Sequence, residues 1–354
     1  MKIGIIGAGA CGIMLAGLLE KNNIDYTLFN YGKVGRKILA SGNGKCNISN
    51  INYDKKFYHN NYLADKIVSN NQKDLFDYFK QLKIYTFNDD EGRMYPYSES
   101  SASVLDILLE NVGNIVNEEI IEVTVKNDKY YLNNHGPFDY IVLTSGSKAS
   151  YIKNHQESYN NYLKYLDIKI NKLYPSLVGF KVKEKIKPIT GVRCKGLVSL
   201  YQNNKLIHSE YGEINFKDDG ISGICVMNLS SYYANLDNKN NSKIIIDLSY
   251  NLDFDSYKSV LNPKLYKYVL ENNIDIHNMV LNINGVYDFE FAQVVKGGIS
   301  IDEINDDLSL KKYNNVYVGG EIIDVDGVCG GFNLMFAFTC ALEIYRSLYE
   351  IYSR

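Results

Sequence analysis

Three glycines near the start of the chain are the first residues that could do chemistry. Gly7, Gly9 and Gly12 stand in the run Gly7-Ala8-Gly9-Ala10-Cys11-Gly12, the G-x-G-x-x-G spacing in which a backbone receives phosphates. Gly7 permits the tight turn, Gly9 lets a pyrophosphate approach the main chain, and Gly12 lets the following helix pack on the strand before it. A helix starting at Ala10 and Cys11 adds free N–H groups and the positive end of its dipole. The acid that usually holds the ribose hydroxyls is replaced by Asn30, 23 residues after Gly7, which can accept a hydrogen bond but carries no charge. A ligand-free glycine turn is the plain alternative, and the strand–turn–helix–strand setting weighs against it.

A second loop bears on which dinucleotide is held. A nicotinamide domain would proceed directly to its next strand and helix. Here residues 34–47 form a long loop with the adjacent cations Arg36 and Lys37 and the small residues Ser41, Gly42 and Asn43. Such a loop suits a pyrophosphate and a flat ring; a solvated basic turn is the alternative. Cys46 closes this loop, and Cys329 lies in a glycine-rich stretch near the C-terminus. Either thiol could give a proton to the carbon opposite a delivered hydride. The plainer role is a small buried thiol filling space between glycines. The histidines (His59, His135, His155, His208, His277) lie outside these stretches, and none is assigned to catalysis. From Lys181 to Gly196, the cations Lys181, Lys183, Lys185, Lys187, Arg193 and Lys195 face a single acid, Glu184. Alternation along a strand would send the four lysines to one face, either solvated or a phosphate-binding strip.

The elements that must position these residues follow from the apolar pattern. Lys2 to Ile6 reads as a buried parallel strand, Ile13 to Leu19 as a helix face, and Tyr26 to Phe29 as the next strand. Helices are expected over 62–82 and Ser103–Asn111, strands over Ile120–Val125, Lys129–Leu132 and Asp139–Thr144. Short alternating runs between 176 and 250 predict an antiparallel β-rich block. Residues 255–281 are weakly helical. A buried strand then leads to the turn at Gly319-Gly320, and Phe332–Tyr349 forms a last helix. An α/β chain at both ends with a β-rich block between is an insertion into a doubly wound domain.

Two long stretches carry a more specific signal: Gly35-Arg36-Lys37-Ile38-Leu39-Ala40-Ser41-Gly42-Asn43-Gly44-Lys45-Cys46-Asn47, and the run from Val318 through Gly319-Gly320-Glu321-Ile322-Ile323-Asp324 to Gly330-Gly331-Phe332-Asn333-Leu334. Between them fall Gly92-Arg93-Met94-Tyr95-Pro96, Gly212-Glu213-Ile214-Asn215-Phe216, Gly220-Ile221-Ser222-Gly223 and Gly297-Gly298-Ile299-Ser300. In this order, along nearly the whole chain, they resemble the bacterial aminoacetone-oxidase-type family of NAD(P)/FAD-dependent oxidoreductases. The family's relatives include reductases of steroid-like C=C bonds, enzymes that reduce uridine in ribosomal RNA, and an amine oxidase.

The resemblance implies an α/β fold: a glutathione-reductase-like FAD-binding Rossmann domain interrupted by an inserted β-barrel-like domain and a shortened helical subdomain. The expected division is 1–175 and 291–354 for the FAD domain, 176–250 for the β-rich insert and 251–290 for the helical part. FAD would be held non-covalently. Gly7, Gly9, Ala10, Cys11 and Gly12 would hold its pyrophosphate, and Asn30 would face the adenosine ribose. Arg36, Lys37, Ser41, Gly42 and Asn43 would line the diphosphate and the isoalloxazine, with Ser145 and Gly146 nearby. Gly320, Glu321 and Asp324 would meet the pyrophosphate and ribityl chain. Gly331, Phe332, Asn333 and Leu334 would set a helix N-terminus at the pyrimidine end, where reduction builds negative charge. The chain departs from the family pattern in two places. After Ser145-Gly146 comes Ser147-Lys148-Ala149-Ser150-Tyr151 and a Tyr/Asn-rich, helix-like segment in place of a glycine-rich stretch, and only about 35 residues separate Leu248 from Gly285.

Composition sets the outer bounds. The 354 residues suffice for roughly two domains, and 45% hydrophobic with 22% charged residues is ordinary globular usage. A net charge of −3 and a pI near 6.0 argue against wholesale coating of nucleic acid. Six cysteines without a C-x-x-C pair exclude a disulfide scaffold and a zinc ribbon, and no metal is expected. Ile3 to Leu19 is uncharged, but it holds five glycines and falls short of the roughly 20 residues of a membrane helix. A soluble, cytoplasmic protein with no membrane partner is expected. There is no second G-x-G-x-x-G, so electrons would come from transiently docked NAD(P)H, from the substrate or from another protein. The expected function is an FAD-dependent oxidoreductase reducing an activated C=C bond with NAD(P)H-derived electrons, uridine in ribosomal RNA leading the substrate candidates. The alternatives are a small-molecule amine or aminoketone oxidase using oxygen, and a flavin-binding RNA or protein partner with vestigial redox activity.

Overall fold

The computed structural model describes residues 1–150, 162–249 and 257–353. The Tyr/Asn-rich segment expected to be helix-like lies outside the described residues. Two compact units are present. The first is built from the two ends of the chain, Met1–Lys148 and Gly297–Arg354, with residues 162–173. Its core is a six-stranded sheet in the order Ser309–Leu310, Tyr313–Val318, Tyr140–Leu143, Lys2–Ile6, Asp25–Asn30, Ile115–Asn117. All neighbours are parallel except the short edge strand Ser309–Leu310. Parallel strands are covered on both faces, which is why Ile3, Ile5, Leu28, Val142, Leu143, Val316 and Val318 form continuous apolar runs and are fully buried.

The helix Ala10–Lys21 and the last helix, Phe332–Tyr352, pack on each other, and Tyr62–Gln81 lies on the last helix with Phe79 edge-on to Phe338 at 5.4 Å. Asn61 starts the helix Tyr62–Gln81 by accepting from the Ala64 N–H at 3.1 Å, as an N-cap does. The stretch read as a loop from residue 31 to 50 contains a five-residue helix, Arg36–Ala40. Gly35 begins that helix at φ +62°, where a Cβ would also meet Leu105 Cδ1 at 2.4 Å, and its N–H bonds Ala8 O at 2.9 Å. The strand expected over Ile120–Val125 is Val123–Lys126, one edge of a three-stranded antiparallel sheet with Lys129–Leu132 and His135–Phe138. No helix among the described residues is long and apolar enough to cross a membrane.

The second unit contains Tyr174–Lys296. Six antiparallel strands close into a barrel: Phe180–Val182, Gly220–Ser222, Lys205–Phe216, Arg193–Gln202, Ser242–Asp247 and Met279–Val286. Alternation places Val198, Leu200, Ile214, Ile244, Ile246 and Leu281 in its interior. The described part of residues 251–290 falls in this unit. Met279–Val286 is a barrel strand, and the short helix Pro263–Glu271 puts Leu265, Tyr268 and Val269 into the barrel core. One expectation is corrected: the basic run is not one strand face. The strand ends at Val182, Lys187 already belongs to a short 3-10 turn, and Arg193 and Lys195 sit on a different strand. Pro188 in the turn cannot extend a ladder, so the run is divided between two barrel strands and the stretch that joins them.

Candidate functional site

The parallel strands of the first unit deliver the predicted residues to one edge of the sheet. Gly7 follows Lys2–Ile6, Asn30 ends Asp25–Asn30, Ser145 lies just past Tyr140–Leu143, and Gly319-Gly320 follow Tyr313–Val318. This carboxyl edge is where open α/β sheets bind ligands.

The three glycines of the turn have different surroundings. Gly7 adopts φ +110°, and a Cβ there would sit 2.6 Å from Ser145 Cα. A Cβ on Gly12 would sit 2.0 Å from Gly7 O. On Gly9 it would meet only Thr144 O, at 3.9 Å. Protein fills the space beside Gly7 and Gly12, whereas Gly9 presents an open cradle at the start of the helix Ala10–Lys21, which has no side-chain cap. That arrangement fits a pyrophosphate. Thr144 Oγ1 donates to Gly7 O at 2.8 Å and braces the turn. Asn30 braces it from the other side: Oδ1 accepts the Ala8 N–H at 3.2 Å and Nδ2 donates to Gly32 O at 2.9 Å. Cys11 is buried against Gly319, where a Cβ would be 2.6 Å from its Sγ, and burial pushes its thiol well above the ordinary range. The hydroxyls of Ser145 and the buried Tyr162 are 2.5 Å apart, and Gly146 adopts φ +74° with open space beside it.

In the second loop, Lys37 Nζ donates to Ser147 Oγ at 2.8 Å and pairs with Glu321 Oε2, while Ser147 Oγ donates to Glu321 Oε1 at 2.5 Å. Burial lowers the Lys37 ammonium below the usual lysine value, and the Glu321 charge opposes that shift. Arg36 is half-buried at the start of the same short helix. Ser41 Oγ donates to Ile38 O at 2.7 Å, so its hydroxyl ends the helix Arg36–Ala40. Gly42 and Asn43 are exposed and both left-handed, at φ +56° and +53°. Cys46 is fully buried, and burial pushes its thiol up to about 11. Cys329 is half-buried.

The C-terminal stretch forms the other wall. Gly331, at φ +94°, starts the 21-residue helix Phe332–Tyr352 without a side-chain cap. Two asparagines hold this turn. Asn50 Nδ2 donates to Gly330 O at 2.9 Å. With its amide turned so that both ends are satisfied, Asn47 donates to Ser49 O at 2.8 Å and accepts the Gly331 N–H at 3.1 Å. Asn333 faces back into its own loop, donating to Gly327 O at 2.8 Å and accepting the Gly327 N–H at 2.9 Å. Phe332 is buried, stacked on Phe57 at 4.5 Å, and its carbonyl accepts from Tyr58 Oη at 2.6 Å. Leu334 is half-buried. Gly320 adopts φ +74°, and Asp324 is buried with its carboxylate accepting from Asn171 Nδ2 at 2.7 Å and the Gly297 N–H at 2.8 Å.

Sequence reasoning missed several residues that complete this wall. Ser147, Asn47, Asn50, Tyr58 and Tyr162 each hold a predicted residue in place. His59 Nε2 lies 3.8 Å from Asp326 Oδ2, a carboxylate that is almost wholly buried. The Val328 N–H to Phe57 O bond, at 2.9 Å, ties the same two segments. No spacing in the sequence links 57–59 to 326–332, whereas Asn47 ends the Gly35–Asn47 stretch and Ser147 directly follows Ser145-Gly146, so both were within reach of the sequence signal. Among the described residues no cluster of three or more His, Cys, Asp or Glu could hold a metal ion.

A family model described as the HI0933-like protein Rossmann domain matches residues 1–345. The 3-dehydro-bile acid delta(4,6)-reductase of Clostridium scindens is 26% identical, covering 99% of each chain. The ribosomal RNA dihydrouridine synthase of Haemophilus influenzae is 24% identical over 97% of this chain and 98% of that protein. The open conformation of a flavocytochrome c3 fumarate reductase superposes with a TM-score of 0.50 at 12% identity, over 98% of this chain and 76% of that one, and is similar in fold alone.

Proposed function

The chain belongs to the HI0933-like Rossmann-domain family and is an FAD-dependent oxidoreductase, and from that premise we propose that it reduces a C=C bond conjugated to a carbonyl, drawing electrons from NAD(P)H. The observation that carries this reading is the end-to-end similarity to a delta(4,6)-reductase, joined to a cradle at Gly9 that suits a dinucleotide. Uridine in ribosomal RNA is the second substrate class, favoured by the full-length similarity to a ribosomal RNA dihydrouridine synthase. Lys183, Lys185, Lys187, Arg193 and Lys195 are spread over a turn and a second strand, so RNA binding draws less support from them than a single face would give.

Bound FAD would supply the two-electron chemistry. Gly9 and the helix beginning at Ala10 would receive the pyrophosphate. The first turn of the last helix, from Phe332 to Leu334, would direct its N–H groups at the pyrimidine end, favouring negative charge there. Asn47 and Asn50 hold that helix start, and Asn333 sets the loop before it. Cys46, fully buried and firmly protonated, packs the loop. His59 and Cys329, both only partly buried, are the groups on this wall suited to hold the proton delivered to the substrate carbon.

Anaerobic oxidation of NADH and NADPH by the purified yellow protein tests the reading, with a ring enone in one arm and a ribosomal RNA fragment in the other. Cofactor oxidation that requires either acceptor, with saturated product, supports C=C reduction and identifies the class. No anaerobic turnover with either acceptor, with an amine oxidised once oxygen is admitted, would overturn it. Acid or heat should release the flavin as free FAD.

A further inference from the structure

Glu321 places a carboxylate on the rim of the pyrophosphate site proposed above. It follows Gly320, whose Cβ would lie 3.4 Å from the Cβ of Cys11, two residues past the Gly9 cradle. A lone anion at this point would repel a diphosphate. The carboxylate is not alone. One oxygen pairs with Lys37 Nζ, the other accepts from Ser147 Oγ at 2.5 Å, and Lys37 also donates to Ser147 Oγ at 2.8 Å. Three side chains from three separated segments thus close a triangle, with only 28% of the Lys37 side chain and 15% of the Glu321 side chain exposed.

We propose that Lys37 serves cofactor binding by neutralising Glu321, as a positioning residue, and not by touching the diphosphate itself. The proposal rests on the FAD site described above. Lys37 is committed in two directions, to the carboxylate and to the serine, and its position on a five-residue helix pinned to Ala8 fixes where that charge stands. Ser147 holds the pair in register. Glu321, so held, lends its backbone to the turn that packs on Cys11 while contributing no net negative charge to the rim.

Neutralisation and direct contact with phosphate give opposite results in a double-mutant cycle. Flavin-stripped full-length protein would be titrated with FAD, following quenching of flavin fluorescence, for wild type, Lys37→Met, Glu321→Gln and the double variant. Lys37→Met should weaken FAD binding by roughly tenfold or more, because it removes the cation paired with a largely buried carboxylate beside the phosphates. Adding Glu321→Gln should restore affinity to within about threefold of Glu321→Gln alone, a coupling of the size neighbouring charges show. A double variant as weak as Lys37→Met would overturn the proposal and make Lys37 a direct phosphate ligand. Should Lys37→Met not fold, the double variant and Glu321→Gln carry no uncompensated buried carboxylate, and comparing their affinities decides between the same two roles. Lys37→Arg, which keeps the charge, should bind FAD within a few-fold of wild type; a loss as large as that of Lys37→Met would also count against neutralisation. Wild-type protein that takes up no FAD at all would strike the FAD site itself, a result distinct from either outcome of the cycle.

Discussion

Replacing Gly9 and Gly12 in turn by alanine separates a ligand's space from the protein's own. At Gly12 the new Cβ would stand 2.0 Å from the Gly7 carbonyl oxygen and 2.7 Å from Thr144 Oγ1. Contacts under 3.0 Å are not tolerated, so the helix Ala10–Lys21 must lift from the strand Lys2–Ile6 by about 1 Å. Such overpacking costs about 1–3 kcal/mol, which for a unit of this size lowers the melting temperature by roughly 2–12 °C. Gly12→Ala should therefore melt early even without flavin. At Gly9 the nearest atom is 3.9 Å away, and the backbone, at φ −89° and ψ −168°, is extended and open to alanine. Losing glycine's freedom in the unfolded chain should leave the flavin-free protein unchanged or more stable by about 0.4–1 kcal/mol. The methyl group would nonetheless occupy the cradle, and FAD affinity should fall by about tenfold or more, equivalent to about 1.4 kcal/mol. Calorimetry of the flavin-free proteins and FAD titration of each give both numbers. A Gly9→Ala protein that binds FAD like wild type would refute the placement of the pyrophosphate. A Gly12→Ala protein that melts with wild type would refute the packing argument.

Asn333→Asp keeps an acceptor for the Gly327 N–H but turns a donor into an anion facing the Gly327 and Val328 carbonyls, so the flavin midpoint potential should fall, at about 30 mV for each 1.4 kcal/mol; an unchanged potential in folded, FAD-loaded protein would place this loop away from the pyrimidine ring. Cys46 adds a pH dependence. Burial raises its thiol to about 11, so it stays protonated in the folded state while the unfolded thiol ionises near pH 8.5. Its contribution is complete below about pH 8.5 and is lost as pH rises towards 11, so the advantage of wild type over Cys46→Ala in urea unfolding should narrow by up to about 1.4 kcal/mol per pH unit across that window. A constant difference from about pH 7 to about pH 10.5 would show that the thiol is not held protonated by the fold.

What the sequence determined by itself was the frame. Gly7, Gly9 and Gly12 between an apolar run and a helix specify a phosphate-binding βαβ unit, because few other residue patterns satisfy that turn and that helix start together. The two long motifs specified the family, and alternation between 176 and 250 specified an antiparallel β block. These are local signals, carried by neighbours in the chain. Tertiary structure decided whatever depends on two distant segments meeting. Lys37 reads as a loop cation until the fold brings Ser147 and Glu321 to it. Asp324 stands in a motif by its sequence, but only the fold shows that Asn171 and the Gly297 N–H donate to its carboxylate. His59 belongs to no motif, and contacts across the fold, among them the bond between the Val328 N–H and the Phe57 carbonyl, bring it beside Asp326. The lysines from 181 to 187 alternate as a strand would, but the strand ends at Val182 and the chain turns over Lys187–Ile189, so the four do not share one strand face. Periodicity records which residues can be buried together; it carries no record of where the partner strand ends or which distant charge arrives, because those contacts are made across the fold and not along the chain.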